Sequence, residues 1–325
     1  MARPSPQPDR AAVIRQEIDA ERARRCVQAG TLATAWWCAQ ARGSTYTVHR
    51  FARLISAQCD RWVDAFVGRE DLFLSLHGPP GHGKTEHTGR AMPVRALALA
   101  PGRSIVYVTS TADRAVEVSM AVRSVCERLA ACGAYPHLAP HPEGPWTQTE
   151  WRTVGGNRWT AIAPGMATGG IDAHGVIMDD VTGSDANQRS AAKRASTRQF
   201  VKGDVFSRLR GVGPKLNMET RRGLGDATDH LKEKFGELME VHAWPHVAGA
   251  GCADGRAHGE YLWPEMYGPR WHATRPDLLP GDPTWEAPHQ QPPIREGGSV
   301  IREASCGPRY AAAVMAHARA SAPLV

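Results

Sequence analysis

Eight consecutive residues limit what this chain can be: Gly78-Pro79-Pro80-Gly81-His82-Gly83-Lys84-Thr85. They follow an apolar run of strand length, Leu72-Phe73-Leu74-Ser75-Leu76, and helical spacing resumes near Thr85. A strand, a tight glycine-rich turn and a helix form the context that the pattern G-x-x-x-x-G-K-[ST] needs in order to cradle phosphate. Glycines let backbone N–H groups curl around a β-phosphate. Lys84 reaches the β and γ oxygens, and the Thr85 hydroxyl holds Mg²⁺. The helix that follows adds its positive N-terminal end. Pro93 falls inside that helix and should kink or shorten it within three turns.

Such a loop needs a second, acidic element for the metal. Gly175-Val176-Ile177-Met178 reads as a strand, and it ends in Asp179-Asp180. In this arrangement Asp179 binds Mg²⁺, usually through water, and Asp180 orients or deprotonates the attacking water. One carboxylate neutralises metal charge while the other acts as general base. Standing alone, the pair would read as an acidic turn capping whatever follows.

The remaining pattern alternates strands with helices. Helices are expected at 9–28, with Ala12, Val13, Ile14, Ile18, Ala20 and Cys26 as the apolar positions, and at 47–68. Strands follow at 72–76 and 104–108, then a helix at 112–131, a proline-rich loop at 136–148 and a strand at 157–163. Beyond the acidic strand come a basic helix at 186–210, a weak strand at Lys215–Glu219 and a helix at 228–241. Alternation of this kind predicts an α/β fold with a central, mainly parallel sheet flanked by helices. Three segments are expected: an N-terminal helical part at 1–45, a P-loop ATPase domain at 46–255, and a proline-rich arm and tail at 256–325. Eight prolines from Pro264 to Pro293 predict an extended linker over 256–300.

Composition narrows the class. Hydrophobic residues make up 42 % of the 325, enough for a sizeable core. No stretch approaches the roughly 20 apolar residues of a membrane helix, and the N-terminus lacks a signal-peptide run. Seven cysteines without a CxxC pair indicate neither a disulfide framework nor a zinc site, which fits a reduced cytoplasmic setting. The net charge is +6, and only six of 39 basic residues are Lys. Arg189, Lys193, Arg194, Arg198, Lys202, Arg208 and Arg210 could track a DNA backbone, or form a solvated basic face. His77, His82 and His87 read as loop and helix-surface residues. Trp36-Trp37 reads as a buried pair.

Pro79-Pro80-Gly81-His82-Gly83-Lys84-Thr85-Glu86 resembles the P-P-x-H-G-K-S-E loop of large terminase subunits, the motors that package DNA in tailed bacteriophages. Further segments match in order. Ile105–Ala112 resembles the second strand and its exit. Thr168 through Asp180 resembles the T-G…hydrophobic-D-D block. Thr220-Arg221 with Asp226 resembles the T-R-W-H-x-x-D coupling segment. Gly259–Glu265, and His289 through Gly298, resemble the later L-W-P and Q-Q-x-P…G-G segments. The likeness runs from about 49 to 300.

The resemblance implies an ASCE-type P-loop NTPase that hydrolyses Mg²⁺-ATP and moves double-stranded DNA into a procapsid. It would act in the host cytoplasm as a homo-oligomeric ring on the portal protein, with a small terminase subunit as partner. Gly78 through Glu86 would bind nucleotide, Lys84 and Asp180 would be catalytic, and Thr85 and Asp179 would hold the metal. Thr220 would sense the γ-phosphate and couple hydrolysis to movement; as a residue at a strand end it could equally cap the next helix. Many relatives carry an Arg in the phosphate loop, and here none does. Arg208 and Arg210, or Arg221 and Arg222, are then candidates for the charge-stabilising Arg, in this chain or from a neighbouring subunit. Arg222 and Gly223 stand where the family prefers W-H. Only 25 residues follow Val300, with Glu303 as their one acid, so no nuclease is expected in this chain. The rival readings are another ASCE ATPase acting on nucleic acid, helicase-like, and a nucleotide-binding scaffold without turnover.

Overall fold

The computed structural model describes residues 10–167, 169–274 and 286–291. Thr168, 275–285 and 292–325 lie outside it, and with them part of the block before Asp179, the Pro292–Gly298 segment and the Ala-rich end. The chain divides into two compact units. The first comprises residues 10–76, Gly81–Glu219 and Gly225–His242. The second comprises His77–Pro80, Thr220–Leu224 and the described residues from Ala243 onward.

The first unit is built on seven strands: β1 Phe73–His77, β2 Ser104–Thr109, β3 Glu150–Arg152, β4 Arg158–Ile162, β5 Gly175–Asp179, β6 Lys215–Glu219 and β7 Glu240–Ala243. Their order across the sheet is β3-β4-β2-β5-β6-β1-β7. β2 runs parallel to β4 and β5, β5 runs parallel to β6, and β3 pairs antiparallel at one edge. β1, β2 and β5 are buried along their whole length. That is why they read as unbroken apolar runs rather than alternating ones. β6 stands between the strand that delivers the glycine-rich loop and the strand that ends in the acidic pair, the strand order of ASCE-type P-loop folds.

Helices cover the sheet: α1 Arg10–Ala29, α2 Thr31–Ala41, α3 Arg50–Gly68, α4 Met92–Leu99, α5 Ala112–Ala131, α6 Asp185–Arg189, α7 Ala191–Phe200 and α8 Ala227–Phe235. α3 presents Phe51, Ile55, Cys59, Trp62, Val63 and Phe66 at helical spacing, all buried. Trp62, Trp151 and Trp159 are among the largest fully buried side chains. At 150–250 Å² each, such rings contribute about 4–6 kcal/mol apiece to burial. Tyr107 of β2 stacks on Trp159, with centroids 5.6 Å apart, and Trp159 stacks on Trp151 at 5.9 Å. The stack ties the edge strand β3 through β4 to β2.

Several expectations are corrected. In α1 the buried positions are Ala20, Ala23 and Val27, while Ile14 and Ile18 are nearly half exposed. Of the expected apolar positions Ala20 is buried as read, whereas the contact is completed by Ala23 and Val27 and not by the isoleucines. Trp37 is buried and Trp36 is exposed. At Pro93 the helix changes its winding: Glu86–Ala91 is a π-helical segment that runs directly into α4 at Met92, so the proline sits at the junction of the two. The basic 186–210 stretch breaks at Ser190, whose side chain caps α7 by accepting from the Lys193 N–H. The 228–241 helix stops at Phe235, and its end becomes β7.

The described residues of the second unit form a small aromatic cluster, while 275–285 and 292–300 of the expected arm lie outside the described residues. Pro264 and Pro269 open two short helices, α9 Pro264–Tyr267 and α10 Pro269–Ala273. The buried His246 ring lies against Tyr261, Trp271, His272 and His289, and its Nε2 is 3.1 Å from Nε2 of His272. The fully buried Arg256 guanidinium pairs with Asp254 at 2.8 Å and donates to the carbonyls of Pro245, His246 and Glu260.

Candidate nucleotide site

β1 leads into the glycine-rich loop. Gly81 and Gly83 adopt φ of 76° and 83°. These left-handed values favour glycine. A Cβ on Gly83 would meet nothing within 4 Å, so conformation and not space selects the residue there. The helix begins at once: the Glu86 N–H donates to the Gly83 carbonyl at 3.1 Å, and the Thr88 hydroxyl donates to the Lys84 carbonyl at 3.1 Å. His82 is buried, with its ring edge-on to Phe51 of α3, 6.0 Å between centroids. Its imidazole therefore packs against α3. His77 and His87 are also buried, which corrects the surface assignment of all three histidines.

The side chain of Thr85, in the first turn, lies beside the carboxylate of Asp179 at the end of β5, and both flank Gly89. The Tyr107 hydroxyl donates to the same carboxylate, to Oδ2, at 2.8 Å. The loop and the acidic strand therefore meet at one point. Gly89 makes the approach possible: an added Cβ would lie 2.9 Å from Thr85 Cγ2 and 3.3 Å from Asp179 Oδ2. Burial raises the Asp179 carboxyl above the ordinary range. The Tyr107 and Thr85 hydroxyls and the nearby Arg114 draw it partly back, and Asp180 adds to the rise. Burial and the Asp179 charge likewise keep the Tyr107 phenol neutral, as a donor.

Asp180 follows in a left-handed conformation, φ 51°. Its N–H continues the ladder to the Met218 carbonyl at 2.8 Å, and its carbonyl accepts from Gly183 N–H at 3.0 Å. This tight turn is braced by Glu219, whose Oε1 accepts the Thr182 N–H at 3.1 Å. Glu219 is fully buried, and burial together with Asp226 and Asp180 holds its carboxyl well above the usual range. Asp226 caps α8 by accepting the Asp229 N–H at 3.1 Å.

The carboxylate of Glu86, a residue expected to bind nucleotide, is held by Arg42 and by Arg90, the latter at 3.0 Å. Lys84 is half-buried. Gly78, Pro79, Pro80 and Thr220 belong to the second unit, where the His77 carbonyl accepts from Trp244 N–H at 3.0 Å and the Arg221 N–H donates to Gln291 at 3.1 Å.

Arg208 and Arg210 are corrected as same-chain candidates. Their backbones pair with Ala173 at 2.8 Å, ahead of the start of β5. Asp179 closes the other end of that strand, roughly 20 Å away at about 3.3 Å per residue. The Arg210 side chain faces Asp172 at 3.8 Å. The basic positions Arg189 and Lys193 are exposed, while Arg198 donates to the Gly225 carbonyl at 3.3 Å.

Sequence reasoning missed Tyr107, Gly89, Arg114 and Glu219. Only Glu219 carried a signal, standing immediately before the Thr220-Arg221 pair. Among the described residues no three His, Cys, Asp or Glu side chains converge as a metal cage. Thr85 and Asp179 nonetheless offer hard oxygen donors, the set Mg²⁺ takes when phosphate and water complete its shell. A buried carboxylate with a raised pKa also gains from a cation beside it. The residues present therefore fit the ion. Among the described residues no helix is long and apolar enough to cross a membrane.

No family model and no curated protein matches the chain. Among solved structures it is similar to the large terminase of bacteriophage HK97, with 12 % identity and a TM-score of 0.49 over 84 % of this chain. The chain spans 55 % of that one.

Proposed function

We propose that the chain is an ATPase that couples Mg²⁺-ATP hydrolysis to translocation of double-stranded DNA, the motor part of a phage packaging terminase. The observation that carries the ATPase reading is the juxtaposition of Thr85 and Asp179 across Gly89, which brings a G-x-x-x-x-G-K-T loop beside an acidic strand end. Lys84 would neutralise the β and γ oxygens, and Thr85 with Asp179 would hold the metal, which screens phosphate charge. Asp180, held by its turn one residue further on, would take the proton of the attacking water. The water oxygen then bonds to the γ-phosphorus, and the bridging P–O bond breaks with its electron pair going to ADP. The buried Glu219, kept neutral, would brace the turn without competing for that proton.

The packaging role rests on the ordered sequence likeness to terminases, and the exposed basic residues at the start of α7 suit a DNA backbone. Assembly as a ring on a portal, with a small subunit and with Thr220 as the coupling residue, belongs to the same proposal. The test is hydrolysis of ATP by the full chain with and without double-stranded DNA and portal. Stimulation by both, abolished by Lys84→Ala and by Asp180→Asn, is the expected result. Equal rates with and without DNA and portal refute the motor role, and no hydrolysis in any condition refutes the ATPase.

A further inference from the structure

Arg114 lies in the first turn of α5, just beyond the end of β2. Its backbone N–H is held by the Thr111 hydroxyl at 3.3 Å. Its guanidinium is divided between two partners. Nη1 donates to Glu117 at 2.5 Å, and Nη2 donates to the Thr85 hydroxyl at 3.3 Å. The charge of Asp179 also acts on it. Arg114 thus points a cation at the hydroxyl and carboxylate that would hold the metal of a bound nucleotide. Glu117 is shared with Arg90 at 2.7 Å, and Arg90 in turn holds Glu86 at 3.0 Å. The bond to Glu117 is short and the one to Thr85 long, and the Arg114 side chain is 39 % exposed. Residues 78–83 contain no Arg or Lys of their own.

We propose that Arg114 is a catalytic cation supplied by this chain to its own nucleotide, resting on Thr85 and Glu117 until a triphosphate arrives. The inference rests on the nucleotide reading above. The Thr85 hydroxyl would be taken up by the metal of the incoming nucleotide, so Nη2 must exchange that weak 3.3 Å bond for another acceptor. The acceptors that arrive at the same place are the terminal phosphate oxygens. A planar fork matches them in two places, and its charge counters what builds up as the γ-phosphoryl group leaves ADP for water. Glu117 keeps the other edge in place, so little reorganisation is needed.

The full chain and its Arg114→Gln and Arg114→Lys variants are compared in three measurements. These are Mg²⁺-dependent ATP hydrolysis, binding of a fluorescent ADP, and binding of the same ADP with aluminium fluoride, a mimic of the transferring phosphoryl group. A charge-stabilising arginine of this kind is worth on the order of 10³–10⁵ in rate. The expected result for Arg114→Gln is a fall of that size in kcat and a comparable loss of affinity for the aluminium fluoride complex. Affinity for ADP alone changes less than about threefold, and Arg114→Lys recovers part of both losses. Unchanged melting temperature and ADP affinity show that each variant is folded. The inference is overturned if Arg114→Gln hydrolyses ATP and binds the aluminium fluoride complex as the wild type does. If the wild type binds neither nucleotide, the nucleotide reading falls and takes the inference with it.

Discussion

His87 gives the fold a sharp acid dependence that can be worked out in advance. It lies in the π-helical segment that carries the chain away from Thr85. One ring nitrogen faces the Tyr46 hydroxyl at 3.0 Å and the other faces Ser56 Oγ at 2.9 Å. Burial, with His49 adding to it, pushes its pKa down to about 3 from an ordinary 6.5. Between those two values the unfolded chain takes up a proton that the folded chain refuses. Stability from this site is therefore fully present above pH 6.5 and is lost as the pH falls towards 3. Going to pH 5 crosses about 1.5 units below the unfolded value, at about 1.36 kcal/mol each, so the wild type should lose about 2 kcal/mol. The figure hardly depends on the folded value so long as that lies well below 5. Other groups titrate in this range too, so the measurement is a difference. Urea unfolding of wild type and His87→Gln is compared at pH 7.5 and pH 5.0. The variant should show a pH-induced loss smaller by about 2 kcal/mol, although it starts less stable. Equal losses in the two proteins would refute the claim that His87 is neutral and buried beside the loop.

Two other substitutions test the packing of the site. Gly89→Ala puts a methyl 2.9 Å from Thr85 Cγ2. It should cost about 1–3 kcal/mol of overpacking, less the roughly 1 kcal/mol that Ala gains in a helix. Affinity for a fluorescent ATP should fall at least tenfold, and unchanged affinity would show that Thr85 and Asp179 are not in contact. Glu219→Gln replaces a buried neutral carboxyl by its isostere and should keep hydrolysis within about threefold of wild type, while Glu219→Ala leaves the Thr182 N–H unpaired at about 1–3 kcal/mol. A Gln variant as damaged as the Ala variant would mean that Glu219 is needed ionised.

What the sequence made legible follows from what each element has to satisfy alone. β1, β2 and β5 announce themselves because strands buried on both faces must be apolar throughout. Gly81, Gly83, Lys84, Thr85, Asp179 and Asp180 stand out because backbone geometry and charge leave few substitutes. β3 and β7 are edge strands of only three and four residues, and β7 lies beside β1, distant in the chain, so no local pattern marks them. Tyr107, Gly89 and Arg114 reach the site only once β2, the helix after the loop and α5 are folded against β5. A tyrosine in an apolar run, or an arginine in a first helical turn, looks ordinary until that happens. Pro264 and Pro269 are hard to read for a related reason. A proline at the first position of a short helix and a proline in an extended arm are the same letter, and the aromatic rings around His246 decide between them.

The central claim is that Thr85 and Asp179 together hold the metal of a single bound nucleotide. It is tested most directly by titrating the full chain with Mn²⁺ in the presence of ATP and following free Mn²⁺ by electron paramagnetic resonance. The account predicts ATP-dependent uptake of the ion by the wild type, strongly weakened in both Thr85→Ala and Asp179→Asn while each variant keeps its fold. Uptake that survives both substitutions, or that never depends on ATP, would contradict it.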